Sequence, residues 1–324
     1  MSLSLTDVNA FTQQYLVPRT THLIAKSSPV LVRLESKSQM FRGGLYIQRP
    51  VQHALLPVKV LTRGGGFNLD EVKTSTAITG SIKVYGVNIS LFAMDGILNS
   101  GPEAAFSIVE EKMHAASLSL SQELATDLYL NSSAAGRTDR ITGLDQWIDD
   151  GNGYASVGGV TRTDILAAGV VGGLNSYVAD VTSFTLRDLN TGYTNAIWAN
   201  EHVDIIATNI NGYNKIWEAA QPLQRYEASN GDLAKLGFTT FRFNAADVVM
   251  DRNCPTGSAG RIFGINTSYV ELYRSSNPLF DYGFTGFKVA SNNLDYAGQF
   301  CVGMELMYPS PRSSFKLKSS TSEF

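Results

Sequence analysis

Residues 100–130 read SGPEAAFSIVEEKMHAASLSLSQELATDLYL, and this stretch decides the architecture. Ser100 and Glu103 are spaced as a capping box, with Pro102 in the first turn, where its missing N–H costs nothing. No further Pro or Gly follows before Leu130. Phe106, Val109, Met113, Ala116, Leu120, Leu124 and Leu128 recur at spacings of three and four, which draws one apolar stripe along a helix. Glu103, Ser107, Glu110, His114 and Ser121 fall off that stripe. At ~1.5 Å per residue the helix runs roughly 43 Å, at least twice the usual length. Such a helix crosses a whole domain as a strut. Asn131-Ser132-Ser133 and Gly136 end it.

Upstream, residues 36–98 read as an extended β excursion. Leu45 and Ile47 alternate with polar neighbours, and Pro50 confines that strand to an edge or an end. Arg63-Gly64-Gly65-Gly66 is a flexible tip. Ile78, Gly80, Ile82 and Val84 share one face of a second strand, and Thr79, Ser81, Lys83 and Tyr85 the other. After Gly86 the alternation changes phase to Val87, Ile89 and Leu91, which predicts a β-bulge at the glycine. A long two-stranded ribbon is marginal alone, so it needs a surface on the rest of this chain or on a neighbour.

The two ends have little apolar periodicity. Leu5 to Leu16 suggests a short helix capped by Thr6; Pro18 then interrupts, and Ser27, Ser28 and Pro29 make a turn. The tail from Ser313 to Phe324 is serine-rich. Partner chains or the chain's own body could hold such ends, since free termini fray. Between helix and tail the chain is α/β in flavour. The sequence predicts a helix over Leu186 to Trp198 behind a Thr185/Asp188 capping box, a strand over Val203 to Thr208, and a helix over Asn211 to Ala220 presenting Tyr213 and Trp217. Strand-like runs follow around Phe238, Phe241, Phe243, Val248 and Val249, over Arg261 to Tyr273, and over Phe287 to Met307, before Pro309 and Pro311 close the regular structure.

Composition narrows the function class. The 324 residues are 44% hydrophobic but only 17% charged, against the usual quarter. Few charges to desolvate suits a surface used for contact with other chains. A net charge of −3 argues against a dedicated nucleic-acid binder, though not against a container filled by a motor. No signal peptide opens the chain, and the most apolar small-residue run, Ile165 to Leu174, is too short to span a bilayer, so no membrane role is expected. Cys254 and Cys301 are free thiols by their spacing.

Catalytic and metal-binding patterns are missing. His22, His53, His114 and His202 stand in no zinc motif, no Gly-x-Ser-x-Gly elbow occurs, and Gly64-Gly65-Gly66 lacks the Lys of a phosphate loop. Asp145, Asp149 and Asp150 lack the spacing and closing Glu of a calcium loop and read as a solvated turn cluster. No catalytic residue, cofactor or metal is expected. Sites do assemble from distant residues, so a soluble hydrolase stays as the rival from another class.

The order of parts, together with several local runs, resembles the major capsid proteins of tailed bacteriophages with the Hong Kong 97-type fold. The runs are Arg42-Gly43-Gly44; Asn99-Ser100-Gly101-Pro102-Glu103-Ala104; Thr142-Gly143-Leu144; Val157-Gly158-Gly159-Val160-Thr161-Arg162; Asp204-Ile205-Ile206-Ala207-Thr208 with Tyr213; and Gly260-Arg261-Ile262-Phe263-Gly264-Ile265-Asn266. The resemblance implies an α+β chain divided into an N-terminal arm (1–36), an E-loop (37–97), a peripheral domain with the spine helix (98–136 and 266–318), an axial domain (137–265) and a tail (319–324).

It further implies self-assembly into hexamers and pentamers that close an icosahedral shell around double-stranded DNA. Portal, scaffold and decoration proteins would be partners, the virion the location, and a host bacterial cytoplasm the place of assembly. A separate scaffold, or none, is expected. The E-loop tip, Arg63, Gly64, Gly65 and Gly66, with Lys59, Lys73 and Lys83, would touch the neighbouring subunit. Some members join a loop lysine to an asparagine by an isopeptide bond; here Lys73 would be donor and Asn292 or Asn293 acceptor, although nothing local perturbs that lysine. An encapsulin-like nanocompartment shell is the structurally near alternative.

Overall fold

The long helix forms as its pattern requires. In the computed structural model, which describes residues 28–52, 54, 56, 58–61, 63, 66, 71–92, 102–132, 136–162, 173–198, 200–220, 240–257, 260–289 and 295–319, it spans Pro102–Tyr129. Val109, Met113, Ala116, Leu120, Leu124 and Leu128 are all buried, while Glu110 and His114 face out. Ser121, expected on the outer face, is buried too and turns its hydroxyl to the Leu118 carbonyl. Towards its end the helix sinks deeper, so that Leu124, Ala125, Asp127, Leu128 and Tyr129 are enclosed nearly all round. The capping box at Ser100 and the side chains of Glu103 and Phe106 lie outside the described residues.

In chain order, the first elements are α1 (Pro29–Glu35), β1 (Gln39–Phe41), β2 (Ile47–Gln52), β3 (Ser75–Gly80), β4 (Lys83–Leu91) and the long helix, α2. Then come α3 (Leu144–Trp147), β5 (Ser156–Val157), β6 (Val160–Thr161), β7 (Tyr177–Val181), α4 (Leu186–Ala196), β8 (Ile205–Thr208) and α5 (Ile210–Ala220). The rest is strand: β9 (Thr240–Phe243), β10 (Ala246–Met250), β11 (Arg261–Ile265), β12 (Glu271–Ser275), β13 (Gly283–Phe284), β14 (Lys288–Val289), β15 (Tyr296–Met307) and β16 (Phe315–Ser319). Helix α4 carries the expected reciprocal Thr185/Asp188 cap.

Two sheets organise these elements. The first is built on β15. One edge of β15 pairs in succession with β12, β13 and β14, and β12 pairs in parallel with β1. The other edge pairs antiparallel with β4 over nine residues, from Lys83↔Met304 to Leu91↔Tyr296. The second sheet runs β7-β16-β11-β8-β10-β9. Its strand β8 is buried on both faces. Ile205 and Ala207 enter the core shared with α2 and the first sheet, whereas Ile206 enters a second core under α4 and α5 with Leu189, Tyr193, Ile216, Val248 and Phe315.

Four sequence readings are corrected. Ser28 does not open a turn: it caps α1, whose Pro29 occupies the first position, and Val30, Leu31 and Leu34 are buried. There is no bulge at Gly86, since β4 and β15 pair residue for residue through it. Tyr85, Val87, Ile89 and Leu91 share the inner face and Val84 is exposed, so the phase changes at the Ser81–Ile82 break between β3 and β4. Pro309 and Pro311 do not end the structure. Beyond them β16 lies between β7 and β11, with Phe315, Lys316 and Leu317 fully buried, so residues 313–319 of the supposed tail are an inner part of their own subunit. Segment 266–318 thus starts in the first sheet and finishes in the second. Finally, the Asp145/Asp149/Asp150 cluster is not simply solvated, because Asp149 is buried.

Asp149 explains how such a charge is tolerated. Its Oδ2 accepts N–H bonds from Gly151, Gly153 and Tyr154 at 2.9–3.0 Å, and its Oδ1 lies 3.1 Å from Lys316 Nζ. Desolvation pushes the carboxyl up, but Lys316 and those N–H donors outweigh it and hold the group below its ordinary range. Arg162, equally buried, spreads its donors over the carbonyls of Gln146, Trp147, Asp149, Tyr154 and Leu174. Burial lowers it to about 10.

Candidate interaction surface

The excursion divides into a root that is docked on its own chain and a tip that is not. At the root, β2 and β3 form a two-stranded ribbon from Ile47↔Gly80 to Gln52↔Ser75. Ile47, Val51 and Ile78 alternate onto its inner face and are buried in the main core. Two polar brackets hold it. Arg49 forms a two-pronged pair with Glu271 on β12, whose carboxylate also accepts the Tyr273 hydroxyl. Thr79 donates from its backbone N at 2.8 Å and its Oγ1 at 3.3 Å to the carbonyl of Gly158. Gly158 and Gly159 form the two-residue turn of the β5–β6 hairpin, with φ of 58° and 76°. Positive φ at both central residues is the hairpin geometry that glycine supplies without strain. Of the two surfaces the ribbon could use, the root takes the one on its own chain.

Beyond Gln52 the situation reverses. Leu56 is 66% exposed, Val58 95% and Val60 89%, and Leu61 is exposed as well. Leaving this apolar group in water forgoes roughly 1.5–3 kcal/mol per side chain. Grouped exposed apolar residues mark contact surfaces. Of the tip residues singled out from sequence, Arg63 and Gly66 are exposed, while Gly64 and Gly65 lie outside the described residues. Lys59 donates to the Gly66 carbonyl at 2.7 Å, closing the tip on itself. Lys73 is exposed, and Lys83 is half-buried at the start of β4. Asn292 and Asn293 lie outside the described residues, as do His22, His53, residues 1–27 and the tail from 320. Sequence reasoning missed the apolar members, Leu56, Val58 and Val60. The available signal was an apolar alternation directly beside a triple-glycine turn.

The end of α2 is tied to the first sheet by charge. Asp127, buried, binds Arg137 and Arg140, and accepts the Tyr85 hydroxyl at 2.8 Å. The same hydroxyl accepts the Ile141 N–H, and burial pushes its titration well above the ordinary range. Asp251 plays the same part at the other side, joining the Ser28 cap of α1 to the Tyr129 hydroxyl. Both arrangements are structural ties: each carboxylate is buried and met by donors. Among the described residues no group of three or more His, Cys, Asp or Glu could hold a metal, and no helix is long and apolar enough to cross a membrane. Cys254 and Cys301 are free.

By sequence, no family model and no curated protein matches this chain. By structure it is similar to shell proteins. A subunit of the cyanophage A-1(L) capsid asymmetric unit superposes with a TM-score of 0.65 at 16% identity, over 90% of this chain and 92% of that one. A subunit of the native GTA particle capsid superposes at 0.60 with 10% identity, over 89% and 90%. The fold is the Hong Kong 97-type capsid fold. The holo-SrpI encapsulin complex from Synechococcus elongatus PCC 7942 carries the same architecture, superposing at 0.58 with 9% identity over 91% and 88%.

Proposed function

We propose that this chain is the major capsid protein of a tailed phage, a structural subunit without catalytic activity that assembles into hexamers and pentamers of a closed shell. The observation that carries the reading is the tip: a Hong Kong 97-type subunit whose ribbon is clamped at the root and presents Leu56, Val58 and Val60 to solvent. A sister molecule supplies the missing apolar surface. Many modest contacts of this kind, repeated around a ring, add through multivalency.

In this reading the first sheet and α2 form the peripheral domain. The second sheet with α4 and α5, including β16, forms the axial domain, and the E-loop proper is the part of 37–97 outside β1 and β4. Residues 1–36 serve as an arm only as far as the docked α1 allows. Portal, scaffold and decoration proteins are the further partners, DNA packs on the inner face without sequence specificity, and the virion is the location, after assembly in the host cytoplasm.

Sizing chromatography and negative-stain microscopy of the purified chain test the proposal. Closed particles are expected; a chain that remains a monomer or small oligomer across a concentration series overturns it. The similarity to the encapsulin favours one second reading, a nanocompartment shell. Nuclease-protected DNA inside particles from producing cells marks the virion, and protein cargo without DNA marks the nanocompartment.

A further inference from the structure

Of the four buried carboxylates among the described residues, Asp127 is matched by Arg137 and Arg140 and Asp149 by Lys316, while Asp251 is met by the hydroxyls of Ser28 and Tyr129 and by Asn253. Glu305 on β15 is different. It is 1% exposed and forms no ion pair among the described residues. Its Oε1 accepts the N–H of Thr142 at 2.9 Å and of Leu306 at 3.2 Å. It sits where three segments meet. The elbow between β3 and β4 crosses directly over it, so that a Cβ on Gly80 would stand 3.4 Å from Glu305 Cγ. Thr142 belongs to the segment leading away from α2. Tyr273 on β12 is its register partner across the sheet.

The charged and titratable groups around it are few. Lys83, at the start of β4, acts on it through space and favours the ionised form. The Tyr273 hydroxyl is turned to Glu271, which Arg49 of the ribbon already binds. The elbow itself (Gly80, Ser81, Ile82) and Thr142 bring no charge. Asp127 and Arg140 meet each other one residue before Ile141.

We infer that the ribbon root is a pH-responsive joint with Glu305 as its trigger: the neutral carboxyl is sealed beneath the elbow, and the ionised carboxylate draws the joint open towards water and Lys83. Two brackets, Arg49–Glu271 and Thr79–Gly158, keep the ribbon attached while the elbow loosens, so the change is one of ribbon angle. Burial raises the carboxyl from 4.5 to about 7, with Thr142, Leu306 and Lys83 pulling the other way but less. A carboxyl raised on folding contributes stability that is complete below its unfolded value. That contribution falls away as pH rises from about 4.5 through about 7. The joint is therefore tight in mild acid and loose in mild alkali. The inference concerns the single subunit and does not depend on shell formation.

Hydrogen exchange of the soluble subunit tests it. Between about pH 6 and about pH 8.5, protection of the amides of 81 and 82 and of Thr142, corrected for intrinsic exchange, should fall about tenfold, while protection at Thr79, whose N–H stays on the Gly158 carbonyl, and at Ile206 in the second sheet stays constant. Glu305→Gln should abolish the fall, and carboxyl ¹³C titration of the unsubstituted protein should place the Glu305 midpoint near neutrality. An ordinary carboxylate midpoint, or equal pH dependence in wild type and Glu305→Gln, overturns the inference. The titration needs no variant, so a misfolded Glu305→Gln would not leave the question open.

Discussion

Phe315 shows how tightly single residues are specified. Its ring lies between Gly192 on α4 and Gly264 on β11, and a Cβ on Gly264 would run into the ring edge. Gly264→Ala should therefore cost about 1–3 kcal/mol by overpacking, read as a lower urea midpoint at unchanged slope. Lys316, the next residue, carries an opposite lesson. Lys316→Met leaves Asp149 buried against an apolar neighbour and should cost about 3–5 kcal/mol, whereas Lys316→Met with Asp149→Asn should recover part of the loss, because both charges leave together. Chemical denaturation of the two variants side by side checks this. Neither feature was readable in advance. Asp149 and Lys316 are 167 residues apart, and nothing in an Asp-rich turn announces a lysine from the far end of the chain.

Elements were readable where their information is local. Helix α2 carried its own period and length, and α4 its own cap, so both emerged within two residues of their ends. The strands were harder, because a strand is defined by partners. The β3–β4 region alternates throughout, yet its phase changes where the chain leaves the ribbon for the sheet, and only β15 reveals that point. β16 was misread because two prolines and a run of serines precede it, which are the usual marks of an ending. Its true position makes a sharp prediction. A dispensable tail could be cut away without effect, but truncation before Ser314 removes the strand joining β7 to β11 and should leave a chain that does not fold, seen as loss of the cooperative thermal transition and of near-ultraviolet dichroism.

At the scale of the whole molecule, the root and the tip of the ribbon differ in what they do for their own subunit. The root of the ribbon is buried in the same core as α2, so changes there disturb folding. The tip contributes almost nothing to its own subunit: Val58 is 95% and Val60 89% exposed. Replacing both with aspartate should leave the thermal midpoint of the isolated subunit within the roughly ±0.5 kcal/mol typical of surface changes. If the tip seats on a sister molecule, the same pair of charges must be desolvated at every contact around a ring, which costs far more than an apolar group returns. Val58→Asp/Val60→Asp should then yield folded subunits that no longer close particles. Microscopy and sizing of the variant beside wild type separate the outcomes. Particles formed by the double aspartate variant at wild-type yield would remove the tip from the assembly contact and return the exposed apolar residues to the ordinary surface.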